Sequence, residues 1–143
     1  MTTPQHPRNS PADWPIRVYY EDTDAGGIVY YANYLKFFER ARTEWLRHHG
    51  LDQVHIYNTE NRLFVVRHVE IQYRRPAVLD DLLTVRSHIG HTGRASVVFN
   101  QALYRDSELL CEAAVTICCV DSTTRRPAAF SPQLQTIFEQ ARN

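Results

Sequence analysis

The segment Val18–Arg47 decides the fold, and it reads VYYEDTDAGGIVYYANYLKFFERARTEWLR. It contains two aspartates and a Gly-Gly pair, followed by apolar residues at helical spacing. These apolar residues fall at i, i+3, i+4, i+7 and i+11, and they are Tyr34, Phe37, Phe38, Ala41 and Trp45. The period predicts an amphipathic helix that begins at Asn33, a suitable N-cap, and stops at Gly50.

Strand patterns occupy most of the remaining chain. Alternating apolar and polar residues predict a first strand over Pro15–Asp22, which ends at the turn-forming residues 22–27. A polar connection through Asn58, Glu60 and Asn61 then leads to four longer strands, predicted at Leu63–Tyr73, Asp81–Ile89, Ala95–Arg105 and Leu109–Asp121. Turn residues at Gly90–Gly93 and Asp106–Ser107 predict antiparallel hairpins, and a last amphipathic helix opens at Ser131. Together these elements predict an α+β fold with one long helix on the concave face of a curved sheet.

Composition limits the classes of protein that are compatible with this chain. Its 143 residues are 43% hydrophobic and 22% charged, with zero formal net charge, which fits one compact domain. The basic residues are scattered arginines apart from Lys36, so no charged stripe indicates nucleic acid or an acidic membrane surface. We expect residues 1–13 to be a flexible tail without a signal-peptide pattern, and residues 14–143 to form the single domain.

Cysteine usage indicates a reducing compartment. Three cysteines, an odd number, all lie within the last predicted strand. Cys118 and Cys119 are neighbours on that strand and point to opposite faces, which suits core packing and not metal ligation. We therefore expect a cytoplasmic protein with free thiols.

Asp22 and Asp24 are separated by one residue and precede Gly26–Gly27, just ahead of the predicted helix. The first N–H groups of a helix lack intrahelical partners and carry partial positive charge, so they can hold a developing oxyanion. A carboxylate beside them can attack a carbonyl or activate water, and this pairing indicates acyl transfer. The alternative is that residues 22–27 form only a connecting turn with capping carboxylates.

Other groups in the sequence carry a weaker signal for chemistry. Four tyrosines near the helix start could line a binding site or pack in the core, namely Tyr20, Tyr30, Tyr31 and Tyr34. The chain has no Gly-x-Ser-x-Gly elbow and no catalytic cysteine motif. His68, His88 and His91 are candidate general bases without a partner pattern.

Residues 19–44, YYEDTDAGGIVYYANYLKFFERARTE, resemble the signature of the hotdog-fold acyl-CoA thioesterases of the 4-hydroxybenzoyl-CoA thioesterase class. The likeness is greatest to the YbgC-type, Tol-Pal-associated branch. It extends from Trp14 to Pro132 and includes FVVRHVEIQYRRPAVLDD and the ICCVD end of the last strand. The resemblance implies a hotdog domain, in which a five-stranded antiparallel sheet wraps around a long central helix.

The resemblance also implies roles for individual residues. Asp24, the second aspartate of the DTD segment, would be the catalytic carboxylate, acting as nucleophile or as base toward water. Tyr20 would belong to the same site, and the backbone N–H of Tyr31 would polarise the thioester carbonyl. Many members of the branch have histidine at the position of Tyr31, so only the backbone role carries over. Arg94, before the fourth strand, would bind coenzyme A, and no metal or other cofactor is implied.

The resemblance implies a homodimer or homotetramer with each active site at a subunit junction. The acyl carrier is left open between coenzyme A and acyl carrier protein, as is the choice between an anhydride and a general-base mechanism. A rival function is a non-catalytic acyl-CoA or acyl-carrier-protein binding module linked to phospholipid synthesis. A nucleic-acid function fits less well, because the chain is neutral and has no stacking platform.

Overall fold

The structure is a computed structural model that describes residues 13–142. The tail predicted for residues 1–13 lies outside the described residues, except for Asp13. That residue is the first of strand β1.

In residues 13–142, five strands form one antiparallel sheet and three α-helices accompany it. In chain order the elements are β1 (Asp13–Arg17), α1 (Asn33–His48), α2 (Gln53–Glu60), β2 (Arg62–Tyr73), β3 (Leu82–Thr92), β4 (Ser96–Arg105), β5 (Glu108–Asp121) and α3 (Pro132–Ala141). The strand order is β1-β3-β4-β5-β2, so β1 and β2 are the edges of the sheet. The α+β fold with five antiparallel strands is confirmed.

Helix α1 packs its apolar face against the sheet. The predicted apolar positions of α1 are all buried, with Phe37 and Phe38 at 0% exposure, and they meet Val85 of β3 and Phe99 of β4 in the same core. Each such side chain contributes about 1.5–3 kcal/mol through removal of apolar surface from water. Trp45, near the end of α1, contacts Phe99 edge-on and stacks on Phe138 of α3.

One buried polar side chain also connects α1 to the sheet. Gln101 of β4 is 2% exposed, and its amide nitrogen donates to the Phe38 carbonyl and to the Ser87 hydroxyl, both at 3.0 Å. Its amide oxygen accepts from Arg42 at 3.1 Å. The amide is therefore fully used, which offsets the cost of burying it.

The predicted end of the first strand and the predicted N-cap of α1 are both wrong, for local reasons. The first strand ends at Arg17, because Tyr20–Asp22 forms a turn of 3₁₀-helix in place of extended chain. Helix α1 does begin at Asn33, but Asn33 is not the N-cap: Ala32 precedes it without a side-chain cap. The Asn33 side chain instead donates to the Asp22 carbonyl at 2.9 Å, so it joins the helix start to the preceding turn.

Helix α2 lies where the sequence predicts only a polar connection. Asp52 caps it by accepting the His55 N–H at 2.7 Å, and Ile56 is its buried residue. Because α2 has so little apolar periodicity, the spacing of apolar residues does not predict it. None of the helices in residues 13–142 has the length and apolar character needed to cross a membrane.

Candidate active site

The segment between β1 and α1 is organised around the buried carboxylate of Asp22, which is 6% exposed. One of its oxygens accepts the Tyr19 N–H at 2.8 Å, while the Asp22 N–H donates to the Tyr19 carbonyl at 2.9 Å. The Asp22 carbonyl accepts both the Tyr30 N–H and the Asn33 side chain, each at 2.9 Å. Asp22 is therefore a structural centre that holds both ends of the loop together.

Asp24 stands on a tight hairpin loop that follows Asp22. Its N–H donates to the Ile28 carbonyl at 2.9 Å and its carbonyl accepts the Gly27 N–H at 3.0 Å, with Gly27 at φ +81°. This is a three-residue hairpin loop with a glycine in the left-handed region. One Asp24 carboxylate oxygen, Oδ1, accepts the Gly26 N–H at 2.8 Å. The Asp24 side chain is exposed, so the turn holds it in place and leaves it accessible.

We expect Gly27→Ala to disturb this loop, because alanine in the left-handed region costs about 1–2 kcal/mol. Gly50→Ala is a matched control: Gly50 follows α1 at φ +79°, and neither glycine has an atom within 4 Å of an added Cβ. Urea denaturation should give both variants a similar loss of stability. Hydrolysis of thioesters, the activity that the sequence resemblance implies, should fall about tenfold per folded molecule in Gly27→Ala alone, because misplacing a reacting group is costly. Equal rates in the two variants would contradict this role of the loop.

The N-terminus of α1 lies next to this hairpin and offers unused donors. The Tyr30 and Asn33 N–H groups are bonded to the carbonyls of Asp22 and Tyr30. Within residues 13–142, the N–H groups of Tyr31 and Ala32 have no hydrogen-bond acceptor. They lie at the positive end of the 16-residue helix α1, where a developing negative charge is favoured.

The loop 74–81 supports the hairpin from behind. The Ala77 carbonyl accepts the Val29 N–H at 2.9 Å, and Val78 forms an isolated bridge with Ile28. The Ala77 N–H in turn donates to the buried hydroxyl of Tyr34 at 3.0 Å. These contacts connect the hairpin to both α1 and the end of β2, and so restrict its movement.

Tyr20 and Tyr31 lie on the same loop as Asp24. The Tyr20 side chain is 82% exposed, and among the described residues it makes no hydrogen bond. The Tyr31 ring contacts those of Tyr30 at 5.0 Å and Tyr73 at 6.1 Å between centroids. Both tyrosine side chains are therefore exposed on this loop.

Arg94 lies far from Asp24 within one chain. It occupies the turn between β3 and β4, where the neighbouring Ala95 carbonyl accepts the Cys119 N–H. Tyr73, which contacts the candidate loop, pairs with Cys111 at the other end of β5. At about 3.4 Å per residue these ends of β5 are about 27 Å apart. The structure therefore does not bring Arg94 to this site in a single chain.

The rival reactive groups are poorly suited to catalysis. Burial raises the pKa of the Cys111 thiol to about 12 and that of Cys119 to about 11, so both are protonated near neutral pH. His68 is exposed on β2 and contacts Glu70 at 3.2 Å, away from the hairpin. The Asp24 carboxylate, by contrast, is exposed and lies on the loop that leads to the free N–H groups.

In the described part of the chain, two cavities lie apart from this hairpin. A groove of about 470 Å³ on the outer face of the sheet is lined by paired charges, Arg74 with Glu112 among them. A cavity of about 220 Å³ lies between α1 and the sheet, bordered by Phe64, Val66 and Phe138. Neither is lined by Asp24 or Tyr31.

An exposed carboxylate on a braced turn, beside free N–H groups of a helix wrapped by a sheet, defines a candidate acyl-transfer site. Residues 26–112 match the thioesterase superfamily. The chain is 45% identical over 128 residues to the acyl-CoA thioester hydrolase YbgC of Escherichia coli O6:H1. The aligned region covers 89% of this chain and 95% of that protein. The chain is 44% identical over 125 residues to the acyl-CoA thioesterase YbgC of Haemophilus influenzae, covering 87% and 92%.

A solved structure supports the same assignment. The crystal structure of a probable thioesterase from Bartonella henselae matches with a TM-score of 0.79 at 37% identity, covering 82% of this chain and 97% of that one. The chain belongs to the thioesterase superfamily. It is a thioester hydrolase with the hotdog fold, and the YbgC-type resemblance of its sequence is confirmed.

Proposed function

We propose that this thioesterase hydrolyses acyl-CoA thioesters to the free acid and coenzyme A, with Asp24 as the reacting carboxylate. The observation that carries the proposal is the placement of Asp24, exposed and held by the Gly26 N–H at 2.8 Å, on the loop that leads to the free N–H groups of α1. The two YbgC proteins to which the chain is similar are an acyl-CoA thioester hydrolase and an acyl-CoA thioesterase.

The thioester carbonyl oxygen lies against the Tyr31 N–H, which stabilises the oxyanion as it develops. In one route Asp24 attacks the carbonyl carbon, the C–S bond breaks, and coenzyme A leaves as a thiolate that takes a proton from water. Water then hydrolyses the resulting anhydride and regenerates the carboxylate. In the other route Asp24 removes a proton from water as the water oxygen attacks the carbonyl carbon. The C–S bond then breaks, and the coenzyme A thiolate takes the proton from Asp24, which regenerates the carboxylate. Thiolate is a good leaving group, so neither route needs a metal ion or other cofactor.

Tyr20 and Tyr31 border the site in this proposal. The exposed Tyr20 ring is free to contact the acyl group or the pantetheine arm of the substrate. Tyr31 contributes its N–H, and that role is independent of its side chain. The three buried cysteines are free thiols, which fits a protein of the reducing cytoplasm, where its coenzyme A thioester substrates would also be found.

We further propose that two chains pair to complete each active site. Strand β2 is a 12-residue edge with exposed apolar side chains, including Val65, Val66 and Tyr73. Such an edge invites pairing with another strand. Antiparallel pairing of two β2 edges about a twofold axis brings the Arg62 end of one strand to the Tyr73 end of the other. Arg94 of the partner subunit then lies on the side of Asp24, where it can bind the phosphates of coenzyme A.

The edge pairing can be tested with Val66→Lys. Two lysines facing each other near the twofold axis repel, and lysine on an edge strand opposes pairing. Val54→Lys, on the exposed face of α2, is the matched control at 70% exposure against 51% for Val66. In light scattering we expect Val66→Lys to shift toward the 16.7 kDa monomer, while wild type and Val54→Lys stay dimeric or tetrameric. A monomeric wild type would contradict the two-chain site.

The function is tested by thiol release from short, long and aromatic acyl-CoAs, and from an acylated carrier protein. We expect release from at least one acyl-CoA, with kcat in the range of about 1–10³ s⁻¹ that is typical of enzymes. The relative rates of thiol release then rank the short, long and aromatic acyl groups as substrates. Release from acyl carrier protein alone would overturn the coenzyme A assignment. Tight binding without any release would favour the acyl-binding module.

A further inference from the structure

Tyr73, the last residue of β2, contacts the start of α1 in a way that concerns the proposed chemistry. Its hydroxyl donates to the Tyr31 carbonyl at 3.1 Å. That carbonyl belongs to the same peptide unit as the Ala32 N–H, and the two groups of a trans peptide point in opposite directions. The same carbonyl also accepts the Tyr34 N–H at 3.4 Å, so the Tyr73 hydroxyl makes the shorter of the two hydrogen bonds that set the direction in which the Ala32 N–H points.

The Tyr73 ring is itself held in place. It packs edge-on against Tyr34 with centroids 5.4 Å apart and against Tyr31 at 6.1 Å, and Tyr34 is 3% exposed. On β2, Tyr73 pairs with Cys111 of the neighbouring strand. The hydroxyl thus belongs to the sheet and not to the loop that it contacts. It can therefore hold the Tyr31 carbonyl in a fixed position relative to the sheet.

We propose that Tyr73 is a positioning residue, whose hydroxyl orients the Tyr31–Ala32 peptide so that the Ala32 N–H becomes a second oxyanion donor beside that of Tyr31. This inference rests on the proposed thioesterase function. Both N–H groups lack an acceptor within the described residues. In addition, a carbonyl that accepts a hydrogen bond polarises its peptide and makes the N–H of the same unit a stronger donor. Tyr73 thereby improves both the direction and the strength of the Ala32 donor.

The test is Tyr73→Phe, which keeps the ring contacts and removes only the hydroxyl. We expect kcat for acyl-CoA hydrolysis to fall about three- to tenfold, the size of one hydrogen bond, with KM changed by less than about twofold. The melting temperature should change little. The N–H signal of Ala32 in an amide NMR spectrum should shift, because its peptide has lost the bond to the carbonyl.

A further variant isolates the hydroxyl of Tyr73. Tyr57→Phe removes an exposed tyrosine hydroxyl from α2, away from the proposed site, and should keep the wild-type kcat. An active wild type with unchanged kcat in Tyr73→Phe, or a change confined to KM, would overturn the inference and leave the proposed function standing. A wild type that releases no thiol from any acyl-CoA would overturn the proposed function, and the role of Tyr73 with it.

Discussion

Asp24→Asn is expected to lower the rate of thiol release from acyl-CoA by about 10² or more, because the amide can neither attack the carbonyl nor take a proton from water. The fold should survive. Asparagine still offers an oxygen to the Gly26 N–H, the bond that Asp24 makes at 2.8 Å. The loss should therefore appear in kcat, with the melting temperature and the oligomer size unchanged.

Asp106→Asn is the matched control for this substitution. Asp106 is exposed in the hairpin turn between β4 and β5, at φ 54°, a conformation that asparagine adopts readily. Asp106→Asn removes the same charge from another exposed turn and should keep the wild-type rate. If Asp24→Asn also kept the wild-type rate, the Asp24 mechanism would be wrong, whichever of the two routes is considered.

The same pair of variants separates the enzyme from a binding module. A protein that only holds acyl-CoA would bind it with similar affinity in both variants and release no thiol from either. An enzyme that uses Asp24 should bind acyl-CoA in the Asp24→Asn variant and leave it intact. Titration calorimetry with that variant then measures binding without turnover, and it can rank acyl chains independently of rate.

The sequence predicted those elements in which a regular spacing of apolar residues marks the buried face. Helix α1 and strand β5 have one apolar face each, so the periods of 3.6 and 2 residues located them. Helix α2 has Ile56 as its buried residue and is stabilised by the Asp52 cap, a contact that periodicity cannot register. Apolar spacing therefore predicted the core, and it missed the element that depends on a local hydrogen bond.

The candidate site was predictable only in part, for a related reason. The DTD segment and the start of α1 are close in sequence, so the sequence alone predicted that Asp24 and the Tyr31 N–H belong to one site. The burial of Asp22 depends on hydrogen bonds to Tyr19, Tyr30 and Asn33, which no spacing rule specifies. Tyr73 reaches a carbonyl 42 residues earlier in the chain, and only the fold brings these groups together.

Phe37→Ala is expected to cost about 3–5 kcal/mol in free energy of unfolding, the largest stability loss among these variants. Phe37 is 0% exposed and packs edge-on against Tyr34 at 6.0 Å, so truncation leaves a cavity beneath the first turn of α1. Leu35→Ala, on the exposed side of that turn, should lose less than about 1 kcal/mol.

Urea denaturation at one protein concentration measures both variants and keeps the contribution of oligomerisation constant. The cavity left by Phe37→Ala also removes support from Tyr34, whose hydroxyl accepts the Ala77 N–H at 3.0 Å, next to the hairpin that carries Asp24. We therefore expect kcat per folded molecule to fall in Phe37→Ala and not in Leu35→Ala. A Phe37→Ala variant of wild-type stability would mean that α1 is not held by this face. One that lost stability but kept its kcat would mean that the hairpin is braced by the sheet without help from Tyr34.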